Sequence, residues 1–169
     1  MTTHWMRLLR HRWHDERTAA RVLRGGALER LETRVRESER LHTGEIRLCI
    51  EAGLPLSYLW RNAPPRERAI AMFGKLGVWD TEANNGVLVY LLLADHAIEI
   101  VADRGLARRV PQAHWDAVVA ELSASLRQGA FEDGLARALD AVGAQLIAHF
   151  PADPDAHNPN ELPDRPVLR

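Results

Sequence analysis

Apolar positions along the chain fall into two periodicities, one helical and one alternating. Leu28, Leu31, Val35 and Leu41 recur at helical spacing through a charged run from the Gly25-Gly26 break to His42, which predicts a helix with one buried stripe. After Thr43-Gly44, Ile46, Leu48 and Ile50 alternate with Arg47, Cys49 and Glu51, as in a strand. Cys49 therefore reads as a packed strand residue and not as a nucleophile. Ala52 to Asn62 reads as a loop carrying Leu54, Leu56, Leu59 and Trp60. Pro64-Pro65 can open a helix whose inner face is Ala69, Ile70, Phe73 and Leu76, with Gly77 as its stop.

Val78 to Asn85 reads as a polar loop, and Val87 to Ala94 is the most apolar run in the chain. That run has the length of a strand and the continuity of one buried on both faces. Asp95-His96 is expected to be a two-residue turn leading into an antiparallel partner over Ala97 to Ala102. Two helices follow on either side of Gly129: Pro111 to Gln128, with Trp115, Val119, Leu122 and Leu126 on one stripe, and Phe131 to Phe150, with Leu135, Leu139, Val142 and Leu146. Helices before, between and after a few apolar strands imply an α/β fold, a layered α/β/α sandwich whose hairpin makes the small sheet mixed.

The two ends differ from this central block. Residues 1–24 form a basic amphipathic segment with Trp5, Met6, Leu8, Leu9 and Trp13 among arginines. Such a segment packs its tryptophans on the domain or touches anionic lipid, and its short apolar face favours packing. Residues 151–169 form a Pro-rich acidic tail in which regular structure is expected to stop. Asn160 to Asp164 either folds back through Leu162 or serves as a free peptide for a partner.

Composition narrows the functional classes. With 169 residues, 46% of them hydrophobic and 27% charged, the chain suits one buried core. A formal net charge of -1 supplies no general drive toward nucleic acid, so none is expected as a partner. One cysteine cannot form an intrachain disulfide, and no run nears the roughly twenty apolar residues of a membrane span. A cytoplasmic location is expected, with peripheral membrane contact through the residues before Gly25 as the variant.

Common catalytic signatures are incomplete. Gly74-Lys75-Leu76 lacks the remainder of a P-loop, no arginine follows Cys49 at phosphatase spacing, and neither G-x-S-x-G nor H-E-x-x-H occurs. His11 and His14, without further ligands, are expected to face solvent. What remains is the polar loop Asp80-Thr81-Glu82-Ala83-Asn84-Asn85-Gly86 before the central strand. Alternating oxygen ligands followed by glycine suit a hard cation such as calcium, although Leu91 occupies the place of an EF-hand's bidentate glutamate. A capped, hydrogen-bonded turn explains the same residues. Asp103 and Asp133 stand at element ends, where a carboxylate favours a helix N-terminus or, if the fold gathers them, a metal.

Four motifs in order, Thr43-Gly44-Glu45-Ile46-Arg47, Asn84-Asn85-Gly86-Val87-Leu88, Ala102-Asp103-Arg104-Gly105-Leu106 and Gly129-Ala130-Phe131-Glu132-Asp133-Gly134-Leu135, together with the ending Asn160-Glu161-Leu162-Pro163-Asp164, resemble the TPM domain. The resemblance runs from about Leu28 to Phe150, sets the domain at 25–150, and is nearest to short bacterial members without a signal peptide. It implies a Rossmann-like α/β/α sandwich with a small mixed sheet. The family includes a plant thylakoid-lumen protein described as an acid phosphatase, membrane-anchored bacterial proteins, and members that bind calcium at the sheet edge.

Carried onto this chain, the resemblance places Asn85, Asp103 and Asp133 near a metal, with Glu45 and Asp80 as weaker candidates. Calcium is the expected cation and magnesium the second choice. Three functions follow, in order: a non-catalytic calcium-binding or interaction domain, a metal-assisted acid phosphatase-like hydrolase with Asp103 or His96 moving a proton, and a membrane-surface or protein-partner module using the Arg-rich start.

Overall fold

The computed structural model describes Arg7, His11, Leu23, residues 25–153, Asp155 and residues 160–169. The expected amphipathic helix over residues 1–24 lies, apart from Arg7, His11 and Leu23, outside the described residues, as does His14. Helix α1 spans Ala27–Glu39 and buries Ala27, Leu31 and Val35. Leu41 lies beyond its end and is largely exposed.

Strand β1 (Ile46–Glu51) leads through the short helix α2 (Leu56–Trp60) and helix α3 (Pro65–Lys75) to strand β2 (Val87–Leu92), which runs parallel to β1 with Ile46 opposite Val87. Strand β3 (Ala97–Ala102) returns antiparallel to β2, pairing Leu92 with Ala97. Helices α4 (Arg104–Ala107), α5 (Gln112–Arg127) and α6 (Phe131–His149) follow, and strand β4 (Val167–Leu168) closes the chain parallel to β1. The sheet order is β3-β2-β1-β4. Each face has its own core. Ile46, Leu48 and Ile50 of β1 with Val87, Val89 and Leu91 of β2 pack under α1, α5 and α6. On the other face, Cys49, Leu88, Tyr90 and Leu92 pack with Leu59 of α2 and with Ala69 and Met72 of α3. This is the expected α/β/α sandwich with a mixed sheet.

Four details depart from the sequence pattern. The Ala52–Asn62 loop holds a helical turn, α2, that buries Leu59 and leaves Leu56 and Trp60 outside. Helix α3 turns Arg68, Ala69 and Met72 inward and Ile70 outward, because a buried ion pair from Arg68 to Glu51 fixes its rotation. The hairpin turn spans four residues and not two: the His96 amide donates to the Leu93 carbonyl at 3.1 Å, and His96 adopts φ 51°. His11 is buried, accepting from the Leu54 amide and meeting Asp95 at 2.9 Å, so it does not face solvent.

The chain end also keeps regular structure. The Ala52 amide donates to the Arg169 carbonyl at 2.6 Å, and the Arg169 amide donates to Ile50 at 3.0 Å. Leu162 packs on the second core. Asn160 to Asp164 thus folds back through the anchor its leucine offers.

Candidate functional site

The loops at the start of β2 and the end of β3 meet as the hairpin's open end. The Asp103 amide donates to the Gly86 carbonyl, and the Gly105 amide to Asn84, each at 2.8 Å. Two glycines allow this approach. A side chain at Gly86 would strike the Val78 carbonyl, and one at Gly105 would strike the Asn84 carbonyl and come within 2.6 Å of the carbonyl of Ala83. Asn84 supports the turn with φ 51°, a left-handed conformation that asparagine tolerates.

Asn85 is fully buried. Its amide donates to Thr81 Oγ1 at 3.1 Å and its side-chain Nδ2 to Thr43 Oγ1 at 3.2 Å. Asp103 caps α4 by accepting from the Arg104 amide through Oδ1 at 2.7 Å. The other oxygens, Asn85 Oδ1 and Asp103 Oδ2, are buried without a hydrogen-bond partner among the described residues. Buried oxygens are rarely left so, because each gives up its water without compensation.

Glu45 lies at the same end of the sheet and is nearly buried, but its carboxylate faces the chain end. It accepts from the amides of Glu161 at 3.0 Å and Leu162 at 3.2 Å. Burial pushes it up to about 7 despite those two donors. Asp80 is exposed at the start of the loop. Asp133 is exposed in the first turn of α6, whose later residue Leu146 packs beneath Gly44. At 1.5 Å of rise per residue, Asp133 is therefore about 20 Å along the helix from that end of the sheet. The fold thus joins the segments that carry Asn85 and Asp103 through backbone hydrogen bonds, sets Glu45 nearby but engaged, leaves Asp80 outside and separates Asp133. His96 is separated in the same way, at the opposite end of β3 from Asp103.

Among the described residues, no group of three or more histidine, cysteine, aspartate or glutamate side chains is placed to hold a metal ion. Any cation here would draw on the Asn85 amide oxygen, backbone carbonyls and water beside the single carboxylate of Asp103. On the same two loops, a concavity of about 390 Å³ is lined by Ala83, Asn84, Arg104, Gly105 and Arg108, and by neither Asn85 nor Asp103. Arg104 Nε donates to Asn84 Oδ1 at 2.8 Å. The two arginines were not picked out from sequence. Their one-turn spacing directly after Asp103 was the signal available.

The TPM domain family model matches residues 17–145. The chain belongs to the TPM domain family. A similar solved structure is the NMR structure of BA42 from the psychrophilic bacterium Bizionia argentinensis, at 26% identity and a TM-score of 0.74, covering 86% of this chain and 94% of BA42. No functionally curated protein matches the chain. The family and the α/β sandwich expected from the ordered motifs are thereby established. Among the described residues, no helix is long and apolar enough to cross a membrane.

Proposed function

We propose that this TPM domain is a non-catalytic, calcium-binding interaction domain whose cation sits between the Asn84–Gly86 and Asp103–Gly105 loops. The observation that supports it is the pair of unsatisfied buried oxygens, Asn85 Oδ1 and Asp103 Oδ2, on loops joined by two backbone hydrogen bonds. Calcium accepts amide, carbonyl and water oxygens with flexible geometry, whereas magnesium demands a stricter octahedron. One carboxylate gives little charge compensation, so binding is weak, with a Kd on the order of 10⁻⁴–10⁻³ M. Asp133, Asp80 and Glu45 have no direct part in this reading.

A thermal melt of chelator-treated protein, titrated with calcium and separately with magnesium, tests it. A cation that binds only the folded state at 100 times its Kd adds about 2.7 kcal/mol. A saturable calcium shift that vanishes in Asp103→Asn and survives in Asp133→Asn supports the reading. The absence of a shift with either ion contradicts it.

Arg104 and Arg108 favour a second reading, a metal-assisted phosphomonoester hydrolase. Both residues line the concavity just after Asp103 in the chain, and two guanidiniums are the anion clamp such a reaction needs. His96 has no place in that site. Release of phosphate from a small phosphomonoester, dependent on calcium or magnesium and abolished by Arg104→Gln, would promote it over the first.

A further inference from the structure

The opposite end of the sheet holds a larger concavity of about 560 Å³ between the β2–β3 hairpin and the α5–α6 turn. Its wall is apolar, with Leu91 and Leu93 from the end of β2, Ile98 from β3, Leu126 from α5 and Phe131 from α6. Protein interiors ordinarily close to near-crystalline density, with few voids larger than a water molecule. An apolar hollow of this size with a few polar groups has the dimensions of a small-molecule site. It also lies at the carboxyl ends of the parallel strands β1 and β2, where open α/β sheets bind their ligands.

Its one permanently charged lining residue among the described residues is a cation, Arg127. Arg127 is tethered through Nη1 to Ser123 Oγ at 2.7 Å and makes no ion pair among the described residues. His96 stands exposed at the same rim. Asp95, its sequence neighbour, is already engaged by Arg7 at 2.7 Å and His11 at 2.9 Å. The hollow therefore offers an apolar wall with a guanidinium and an imidazole at its edge, and among the described residues no carboxylate lines it.

We propose that this cavity binds an aliphatic chain bearing one carboxylate. The chain lies against Leu93, Ile98, Leu126 and Phe131, and the carboxylate sits on Arg127 with His96 as a further donor. A planar guanidinium matches a carboxylate with two parallel hydrogen bonds, and an already tethered side chain loses less freedom in making them. The site is separate from the Asn85 and Asp103 loops, so it stands or falls independently of calcium binding.

The test is calorimetric and NMR titration of the full chain with decanoate, kept below its aggregation concentration. Saturable binding is expected, with amide shifts confined to the hairpin and the α5–α6 turn. Arg127→Gln, an exposed position that leaves the fold intact, should weaken decanoate about tenfold or more and leave decanol unchanged. Leu126→Trp should fill the cavity and abolish both, its own melt confirming that it folds, and Asp103→Asn should bind decanoate as the parent does. Co-sedimentation with phosphatidylglycerol vesicles, lost in Leu126→Trp, would assign the same chemistry to a lipid acyl tail, whereas decanoate binding without sedimentation assigns it to a free acid. Absence of binding to decanoate and vesicles alike, or equal decanoate affinity in Arg127→Gln and the parent, would overturn the proposal.

Discussion

The two faces of β1 are equally buried and chemically opposite. Ile46, Leu48 and Ile50 enter an aliphatic core under α1 and α6, while Arg47, Cys49 and Glu51 on the other face are buried as well. Glu51 receives Nε and Nη2 of Arg68 at 2.8 and 2.5 Å and the Tyr90 hydroxyl at 2.6 Å. These bonds tie α3, β1 and β2 together. Burial and the adjacent Glu51 charge hold the Tyr90 hydroxyl protonated, and burial pushes the Cys49 thiol up to about 12. Toward the outer edge, Glu39 accepts from the Ile46 amide at 2.9 Å, and Asp164 receives Arg36 at 3.0 Å and Asn160 at 2.6 Å. One face is held by undirected apolar burial. The other adds directed bonds between buried polar groups to its own apolar core.

That difference predicts unequal responses to small changes. The largest is expected from Arg68→Met, which keeps much of the volume but leaves Glu51 buried with only the Tyr90 hydroxyl. Breaking a buried pair from one side costs about 3–5 kcal/mol, readable as a lower urea midpoint. Tyr90→Phe removes one donor and leaves the bidentate pair, so a loss of about 1–2 kcal/mol is expected in the same assay. A loss in Arg68→Met no larger than in Tyr90→Phe would mean the network contributes little and the two faces are alike.

The smallest effect is a dependence on pH. Burial pushes Glu39 up to about 8 and Glu45 up to about 7, against 4.5 for an ordinary glutamate. The folded chain therefore keeps protons that the unfolded chain has released. That stabilisation is complete below the unfolded value and is lost as pH rises through 7 to 8. The stability of Glu39→Gln relative to the parent, measured by denaturation from about pH 4.5 to 8.5, should rise steadily with pH, because only the parent loses this proton. His42 works in the other direction, since burial lowers it to about 4, but it is present in both proteins and cancels in the difference.

Local periodicity is enough to read β1 to β3, the α5 and α6 stripes and the layered architecture, because each apolar stripe packs on its own face of the sheet. It did not reveal which polar strand residues are buried. Arg47 and Glu51 alternate with aliphatics as solvent-facing residues do, and only α3 and the folded-back chain end cover them. The rotation of α3 is hidden from periodicity for the same reason, as Ile70 outranks Arg68 in hydrophobicity while the partner of Arg68, Glu51, lies on another element. At the candidate site, Asn84–Gly86 is legible as a turn and Asp103 as a carboxylate at an element end, where it caps α4. That Asp133 lies at the other end follows from the length and direction of α6, which no local motif encodes. Strand β4 leaves no pattern in the sequence, because two residues beside prolines carry no periodicity.

The central functional claim concerns where a cation binds, and a backbone-amide NMR titration of the chelator-treated chain with calcium addresses it most directly. The account predicts saturable shifts concentrated on residues 81–86 and 102–106, with Asp133 and the hairpin tip silent. Shifts centred on Asp133, or no saturable change at millimolar calcium, would contradict it.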